Sequence, residues 1–388
     1  MGKVRIGVIG VGGMGAVHAN SAKDLPETEL TAVCDVNPEA AQKAAEKHQA
    51  KAFTDAKKMF ASGLVDGVVI AVPHYFHTQL AVDAFAAGVS VLTEKPIAVH
   101  KADALKMIKA HAKRPELKFA AMFQMRTSPV NQKIKALIQN GELGEIRRVN
   151  WIVTSWFRTQ AYYDSGSWRA TWKGEGGGVL LNQCPHQLDL FQWFFGMPSK
   201  VQAFCAIGKY HHIEVEDDVT AYCQFPNGAT GVFITSTGES PGTDRLEITG
   251  DRGRLVLENQ KLRFKRTESS VKEFSDTSKE GFAAPPCWDV EIPTAEPLAA
   301  PHKEVLRNFA DAIANGAPLI APAAEGLNSV ELANSMLFSS MNQKPVDMPL
   351  DAKAFAALLD KLVKESTFKK KAAPKAAANK DMAASFHK

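Results

Sequence analysis

Val4-Arg5-Ile6-Gly7-Val8-Ile9-Gly10-Val11-Gly12-Gly13-Met14-Gly15 decides the fold of this chain. Residues 4–9 read as a short apolar strand of the buried parallel type. A G-x-G-x-x-G follows at the strand-to-helix turn, with a helix expected from about Met14 toward Lys23. In this pattern Gly10 permits the tight turn, Gly12 lets a pyrophosphate approach the backbone, and Gly15 allows close helix–strand packing. The phosphates would sit on the helix N-terminus, where free N–H groups and the positive dipole end face them. A second strand, Leu30-Thr31-Ala32-Val33-Cys34, ends in Asp35, where the dinucleotide fingerprint expects a ribose-binding carboxylate. Val36 and Asn37 follow with no Arg to receive a 2′-phosphate, so NAD is expected rather than NADP.

Further strand–helix units extend the pattern: Val68–Val72 into Pro73, a helix near 77–87 ending at Gly88, then Val89–Thr93. Such alternation means a doubly wound parallel sheet, with ligands at the carboxyl ends of its strands. Two segments leave those ends with chemistry to offer, Pro73-His74-Tyr75-Phe76-His77 and Glu94-Lys95-Pro96. Lys95 is read either as a group beside the nicotinamide or as an ordinary surface lysine after a strand. The cofactor-binding set is Gly10, Gly12, Gly13, Met14, Gly15, Asp35, Pro73, His77, Glu94 and Lys95.

Length and composition frame this as two or three domains with real cores: 388 residues, 45% of them hydrophobic. No run of 18 apolar residues is present, so no membrane span is expected. The N-terminus enters a strand without a signal-peptide pattern. Five cysteines show no C-x-x-C spacing, which suits reduced thiols in a cytoplasmic protein better than a disulfide or zinc framework. The net charge of +4 comes from residues 368–388, whose six lysines and one acid leave the body slightly negative. That Ala/Lys-rich tail reads as disordered or as frayed helix, and no nucleic-acid footprint occurs elsewhere.

The second half carries Gly176-Gly177-Gly178-Val179-Leu180-Leu181-Asn182-Gln183-Cys184-Pro185-His186-Gln187-Leu188-Asp189. The glycines mark a close backbone approach, and 182, 186 and 189 would share one helix face, setting His186 beside polar partners. His186 is the candidate for proton transfer. Asn182 reads both as a substrate contact and as a helix N-cap, with Gln183, Cys184 and Pro185 as the first turn. Between residues 151 and 172 lie four of the six tryptophans. In the loop, Arg158, Tyr162, Trp168 and Trp172 present aromatic faces and polar tips that suit a sugar, though aromatics there also suit sheet packing or a subunit interface. β-rich runs are expected at 148–155, 201–207, 219–225, 230–235, 245–249 and 254–257, separated by turns such as Pro226-Asn227-Gly228. His211-His212-Ile213-Glu214-Val215-Glu216-Asp217-Asp218 lacks metal-ligand spacing and is taken as a solvated strand entry, so no metal is expected. His18 is read as structural.

Together the glycine motif, Glu94-Lys95-Pro96, the Gly176–Asp189 segment, Gly141-Glu142-Leu143-Gly144-Glu145-Ile146 and Glu325-Gly326 resemble the Gfo/Idh/MocA oxidoreductases, named for glucose–fructose oxidoreductase and inositol dehydrogenase. The resemblance spans about residues 3–365. It implies an α/β Rossmann domain over 1–125 and an α+β domain over 126–365 with a large, open, mainly antiparallel sheet, followed by a tail at 366–388. It implies a homodimer or homotetramer through that sheet and a carbohydrate or polyol substrate. Lys95 is similar to the family's active-site lysine and His186 to its acid/base histidine. The family usually has aspartate where this chain has Asn182, and an amide cannot accept a proton. The expected activity is hydride transfer between a secondary hydroxyl of a sugar, cyclitol or glycoside and nicotinamide. Alternatives within the same fold are NAD-dependent glycoside hydrolysis and a non-catalytic sensing role.

Overall fold

The computed structural model describes residues 2–370. Residues 371–388, most of the expected tail, lie outside the described residues.

The N-terminal sheet is six-stranded: β1 (Val4–Ile9), β2 (Thr28–Cys34), β3 (Lys51–Phe53), β4 (Gly67–Ile70), β5 (Ser90–Thr93) and β6 (Phe119–Ala121). Its order is β3-β2-β1-β4-β5-β6, and every pairing is parallel. Between the strands run α1 (Gly13–Asp24), α2 (Pro38–His48), α3 (Ala56–Ala61), α4 (His77–Ala86) and α5 (Lys101–His111). β4 and β5 are buried along their whole length, as strands covered by helices on both faces must be. The order reverses between β1 and β4, and at that switch point the Gly10–Gly15 loop meets the turn after β4.

After α6 (Pro129–Gln139) the chain builds a nine-stranded sheet from β7 (Ile146–Val153), β8 (Lys200–Ile207), β9 (Glu216–Gln224), β10 (Thr230–Ser236), β11 (Asp244–Gly250), β12 (Gly253–Glu258), β13 (Lys261–Thr267), β14 (Cys287–Ile292) and β15 (Val346–Asp347). The order is β14-β13-β12-β11-β7-β10-β9-β8-β15, antiparallel except where β10 joins β7. Two short helices, α7 (Gln160–Asp164) and α9 (Val271–Thr277), interrupt the strands. One face of the sheet is covered by α8 (Pro185–Phe195) and α11 (Gly326–Asn342), both buried along most of their lengths. α12 (Ala352–Glu365) completes the described elements.

The expected division at residue 125 needs one correction. α10 (Pro301–Asn315) returns to the N-terminal unit, where Val305, Leu306, Phe309 and Ala310 join Val4, Ile6 and Val8 in one core. Ala121 donates its N–H to Ala321, so the chain also extends the sheet edge there before re-entering the second unit at α11. Residues 301–323 therefore belong by packing to the Rossmann core. Residues 366–370, assigned to the tail, pack on the second unit: Ser366 bonds Glu214, the Phe368 ring lies 5.0 Å from that of His212, and the Lys370 ammonium reaches main-chain oxygens of Gly166 and Arg169.

Where the two units meet, Arg126 is 1% exposed, with two bonds to Asp189 of α8 at 2.6 and 2.7 Å and a third to Glu325, just before α11. Burial pushes the Asp189 carboxyl up, against the pull of the guanidinium. Asp189→Ala is expected to cost about 3 kcal/mol of unfolding free energy, read from urea melts, because it strands a buried cation with half its partners. A loss below about 0.5 kcal/mol would show that Glu325 alone satisfies Arg126.

Candidate active site

The glycine loop has the geometry its sequence requires. Gly10 has φ of +83°, and a Cβ there would lie 2.4 Å from the Ala71 oxygen. A Cβ on Gly15 would lie 1.7 Å from the Gly10 oxygen, so α1 can sit this close to β1 only with glycine at 15. At Gly12, by contrast, a Cβ would meet nothing within 4 Å, which leaves open space above the N-terminus of α1 where a pyrophosphate fits. Asp35 stands at the end of β2, accepting the Val11 N–H at 3.0 Å and the Asn37 N–H at 2.9 Å. The loop and the carboxylate at the end of β2 therefore suit a dinucleotide.

Two residues of the expected cofactor set are engaged otherwise. His77 is fully buried, with Nδ1 2.9 Å from the Pro96 oxygen and Nε2 2.8 Å from the Val72 oxygen. Both ring nitrogens face carbonyl oxygens, one on the Pro73 turn and one on the Lys95–Pro96 turn, and the neutral ring donates its single N–H to one of them. Glu94 meets His18 Nε2 at 2.7 Å and accepts the Lys95 N–H at 3.0 Å. Burial would raise the Glu94 carboxyl, but the His18 hydrogen bond and charge outweigh it and hold it at about 2. His18 is thus an anchor for this turn.

Lys95 leaves the end of β5 and reaches across to the second unit, where Nζ donates to the main-chain oxygen of Asn182 at 2.8 Å. Burial lowers its pKa from the ordinary 10.5, with Glu94 and Glu175 opposing. His186 lies at the start of α8, 5% exposed. Its pKa falls well below 6.5 through burial and then through the Lys95 charge, so the ring is neutral at pH 7.

The segment around His186 differs from its sequence reading in three ways. α8 starts at Pro185 with Cys184 at the cap and no side-chain cap, so Asn182 is not the N-cap. The Asn182 amide instead donates to Glu175, and its oxygen accepts from the Tyr162 hydroxyl at 3.4 Å. Asp189 is bound to Arg126 rather than to His186. The partner of His186 is Gln124, whose Nε2 lies 3.1 Å from His186 Nε2. His186 Nδ1 and Gln124 Oε1 are both buried without a hydrogen-bond partner among the described residues. With the Gln124 amide nitrogen donating, Nε2 accepts and the proton sits on Nδ1; with the amide turned over, Oε1 accepts from Nε2–H, so the orientation of this one amide and the tautomer of His186 are coupled.

Of the three glycines, Gly178 presses against β9, while Gly176 faces Val99 and Tyr75. Glu216 accepts the N–H groups of Gly178 and Leu180 at 2.8 and 3.2 Å, and a Cβ on Gly178 would lie 1.9 Å from the Glu216 main-chain oxygen. Burial raises the Glu216 carboxyl to about 7. Asp217 accepts from the main chain of Lys209, Tyr210 and His211. The acidic run is therefore not a solvated strand entry: Glu216 and Asp217 are buried, with backbone donors on Glu216 Oε1 and on both Asp217 oxygens.

The aromatic loop is arranged around Tyr162. Its oxygen accepts from Arg169 at 2.8 Å and from Gln183 at 3.2 Å, and the Arg158 guanidinium lies 5.2 Å above its ring. Trp168 stacks under Arg169 and meets His74 edge-on at 5.6 Å, which brings the loop against the Rossmann turn. Trp172 is 5% exposed within the hydrophobic core of the second unit, which assigns it to packing.

Known proteins agree with this geometry. Residues 4–121 match the oxidoreductase family model with the NAD-binding Rossmann fold, and residues 131–256 match the GFO/IDH/MocA C-terminal domain. Inositol 2-dehydrogenase of Rhizobium meliloti strain 1021 is 25% identical over 358 residues, 89% of this chain and 99% of its own. The rhizopine catabolism protein MocA of Rhizobium meliloti is 31% identical over 246 residues, 62% of this chain and 74% of its own. The WlbA dehydrogenase from Bordetella pertussis, solved in complex with NADH and UDP-GlcNAcA, has a TM-score of 0.77 at 27% identity, covering 90% of this chain and all of that one. Fold, loop and matches define an NAD-dependent oxidoreductase. The chain belongs to the Gfo/Idh/MocA family.

Gly15→Ala is expected to weaken NADH binding by about tenfold or more, measured by fluorescence titration, with the protein still folded. Unchanged affinity would mean that the α1 N-terminus does not receive the pyrophosphate.

Proposed function

We propose that the protein oxidises a secondary hydroxyl of a sugar or cyclitol, with Lys95 and His186 as the catalytic pair. One observation carries this reading: Lys95, from the Rossmann turn, has its ammonium on the Asn182 carbonyl, four residues before His186, and its charge reaches the His186 ring. NAD, held by the Gly10–Gly15 loop and Asp35, supplies the hydride acceptor. The Lys95 ammonium donates to the reacting oxygen and stabilises the negative charge that develops there. His186, kept neutral by burial, takes the hydroxyl proton and returns it in the reverse direction. Asn182, Arg158, Tyr162 and Trp168 line the substrate side. The family matches and the names of the relatives support a sugar or cyclitol.

A second copy of this chain is proposed to cover the outer face of the nine-stranded sheet. Phe204 of β8 and Tyr222 of β9 are 69% and 42% exposed on the same face of adjacent strands, which is apolar area a partner would bury. Five free cysteines support a reducing, cytoplasmic setting. Among the described residues no helix is long and apolar enough to cross a membrane.

The test is a panel of polyols, sugars and glycosides with NAD, followed at the nicotinamide absorbance. NADH formed in proportion to ketone supports the reading, and release of an aglycone with no net NADH overturns it. Lys95→Met and His186→Ala are each expected to lower kcat by about a hundredfold or more while NADH still binds. Wild-type rates in both would remove the assignment.

The pH profile of oxidation follows from the two shifts. His186 must be neutral, and since its pKa lies below 6.5, the acid limb of kcat/KM falls below pH 6.5. Lys95 must be charged, and since its pKa lies below 10.5, the alkaline limb sets in below pH 10.5. Reduction, which needs the imidazolium, gains as pH falls through the acid limb.

A further inference from the structure

Glu175 is the least expected charge in the molecule. It is 2% exposed, yet no Lys or Arg forms an ion pair with it among the described residues. An isolated buried carboxylate is costly unless donors surround it. Its two oxygens are taken by different segments: Oε2 accepts the Ala170 N–H at 2.5 Å, and Oε1 accepts the Asn182 amide. Ala170 has φ of +52°, a left-handed conformation that a non-glycine residue holds only when fixed from outside. The main-chain oxygen of Glu175 also lies 3.3 Å from His74 Nδ1 on the Rossmann turn.

The polarity of this network is fixed. Asn182 must turn Nδ2 to the carboxylate, so its Oδ1 faces the Tyr162 hydroxyl, and the Tyr162 oxygen receives Arg169. Arg169 precedes Ala170, and the chain of hydrogen bonds closes on itself. The residue clamped at its centre, Asn182, is the one whose carbonyl receives the Lys95 ammonium.

We propose that Glu175 is a positioning residue for Lys95, its carboxylate holding Asn182 so that the Asn182 carbonyl receives the ammonium, and lending that ammonium a negative charge. Its bearing on turnover rests on Lys95 being the donor proposed above. Glu94 on the lysine's own turn and Glu175 raise the Lys95 pKa, while Arg158 and Arg169 from the aromatic loop lower it. His74, His186 and His302 also lie within the range of the Lys95 charge. The Glu175 charge in turn faces Arg169 and Lys370, and burial raises its own pKa.

The experiment reads Lys95 directly, without a substrate. Competitive acetylation of the full chain with acetic anhydride across pH, quantified on the Lys95 peptide by mass spectrometry, gives the titration midpoint. Glu175→Gln is expected to lower the midpoint by about one pH unit, because it removes an opposite charge. The double variant E175Q/N182D exchanges carboxylate and amide, keeps the hydrogen bond between them, and is expected to restore the midpoint. NADH affinity and thermal unfolding, measured on the same proteins, are expected to stay at wild-type values in the double variant.

A wild-type midpoint in Glu175→Gln overturns the proposal, as does a double variant no better than the single one. Unfolding of the single variant with recovery of both the fold and the Lys95 midpoint in the double supports it, and recovery of the fold without the midpoint, or unfolding of both, reduces Glu175 to a structural role and overturns it. With any alcohol that reduces NAD, kcat should follow the midpoint while KM for NAD holds. Failure of every alcohol in the panel overturns the assigned activity and leaves the acetylation result to decide the role of Glu175 separately.

Discussion

A single buried cation fixes the junction between the two units. Arg126 lies on a short turn just past β6, bonded to Asp189 on α8 and Glu325 before α11, with the Phe123 and Trp193 rings 5.9 and 5.4 Å from its guanidinium. An ion this deep tolerates no drift of its partners, since every lost bond exposes uncompensated charge to a low dielectric. Two residues earlier on the same turn, Gln124 meets His186, three residues before Asp189. The two contacts are parallel rungs between the same segments. The first fixes the start of α8, and the second uses that fixed position to orient the imidazole.

A second set of links runs from the Rossmann sheet to the glycine segment. His18 and Glu94 hold the turn before Lys95, His77 ties that turn to the end of β4, and Lys95 itself reaches Asn182. On the far side Glu216 gathers the N–H groups of the glycine segment against β9. Lys95 and His186 come from different units, so neither the parallel nor the antiparallel sheet alone holds both members of the proposed pair.

Much of this was legible in the sequence because local rules govern it. The roles of Gly10 and Gly15 follow from steric limits within one turn, and β4 and β5 from their apolar runs. β13 and β14 were not legible. β13 alternates Lys and Arg with its buried Leu262 and Phe264, and β14 is exposed almost throughout, so only pairing with β13 makes it a strand. Long-range contacts also decided what single residues do. Asn182 fits a cap by spacing, but the cap position passes to Cys184 because the Asn182 amide is claimed by Glu175. Glu216 and Asp217 look like surface acids until strand pairing buries them beside backbone donors. Gln124 and Arg126 carried no local signal, since their partners lie more than 60 residues away.

The return of α10 to the first unit bears on the order in which the protein is made. β1 emerges first from the ribosome, but Val4, Ile6 and Val8 find Leu306 and Phe309 only after nearly half the chain has followed β6. Through that interval one apolar flank of the parallel sheet has α1 and α2 but not yet α10, and its edge at β6 waits for Ala321. Nascent chains of this kind are exposed to aggregation while they wait, and completion of the nucleotide-binding half is tied to synthesis of the other.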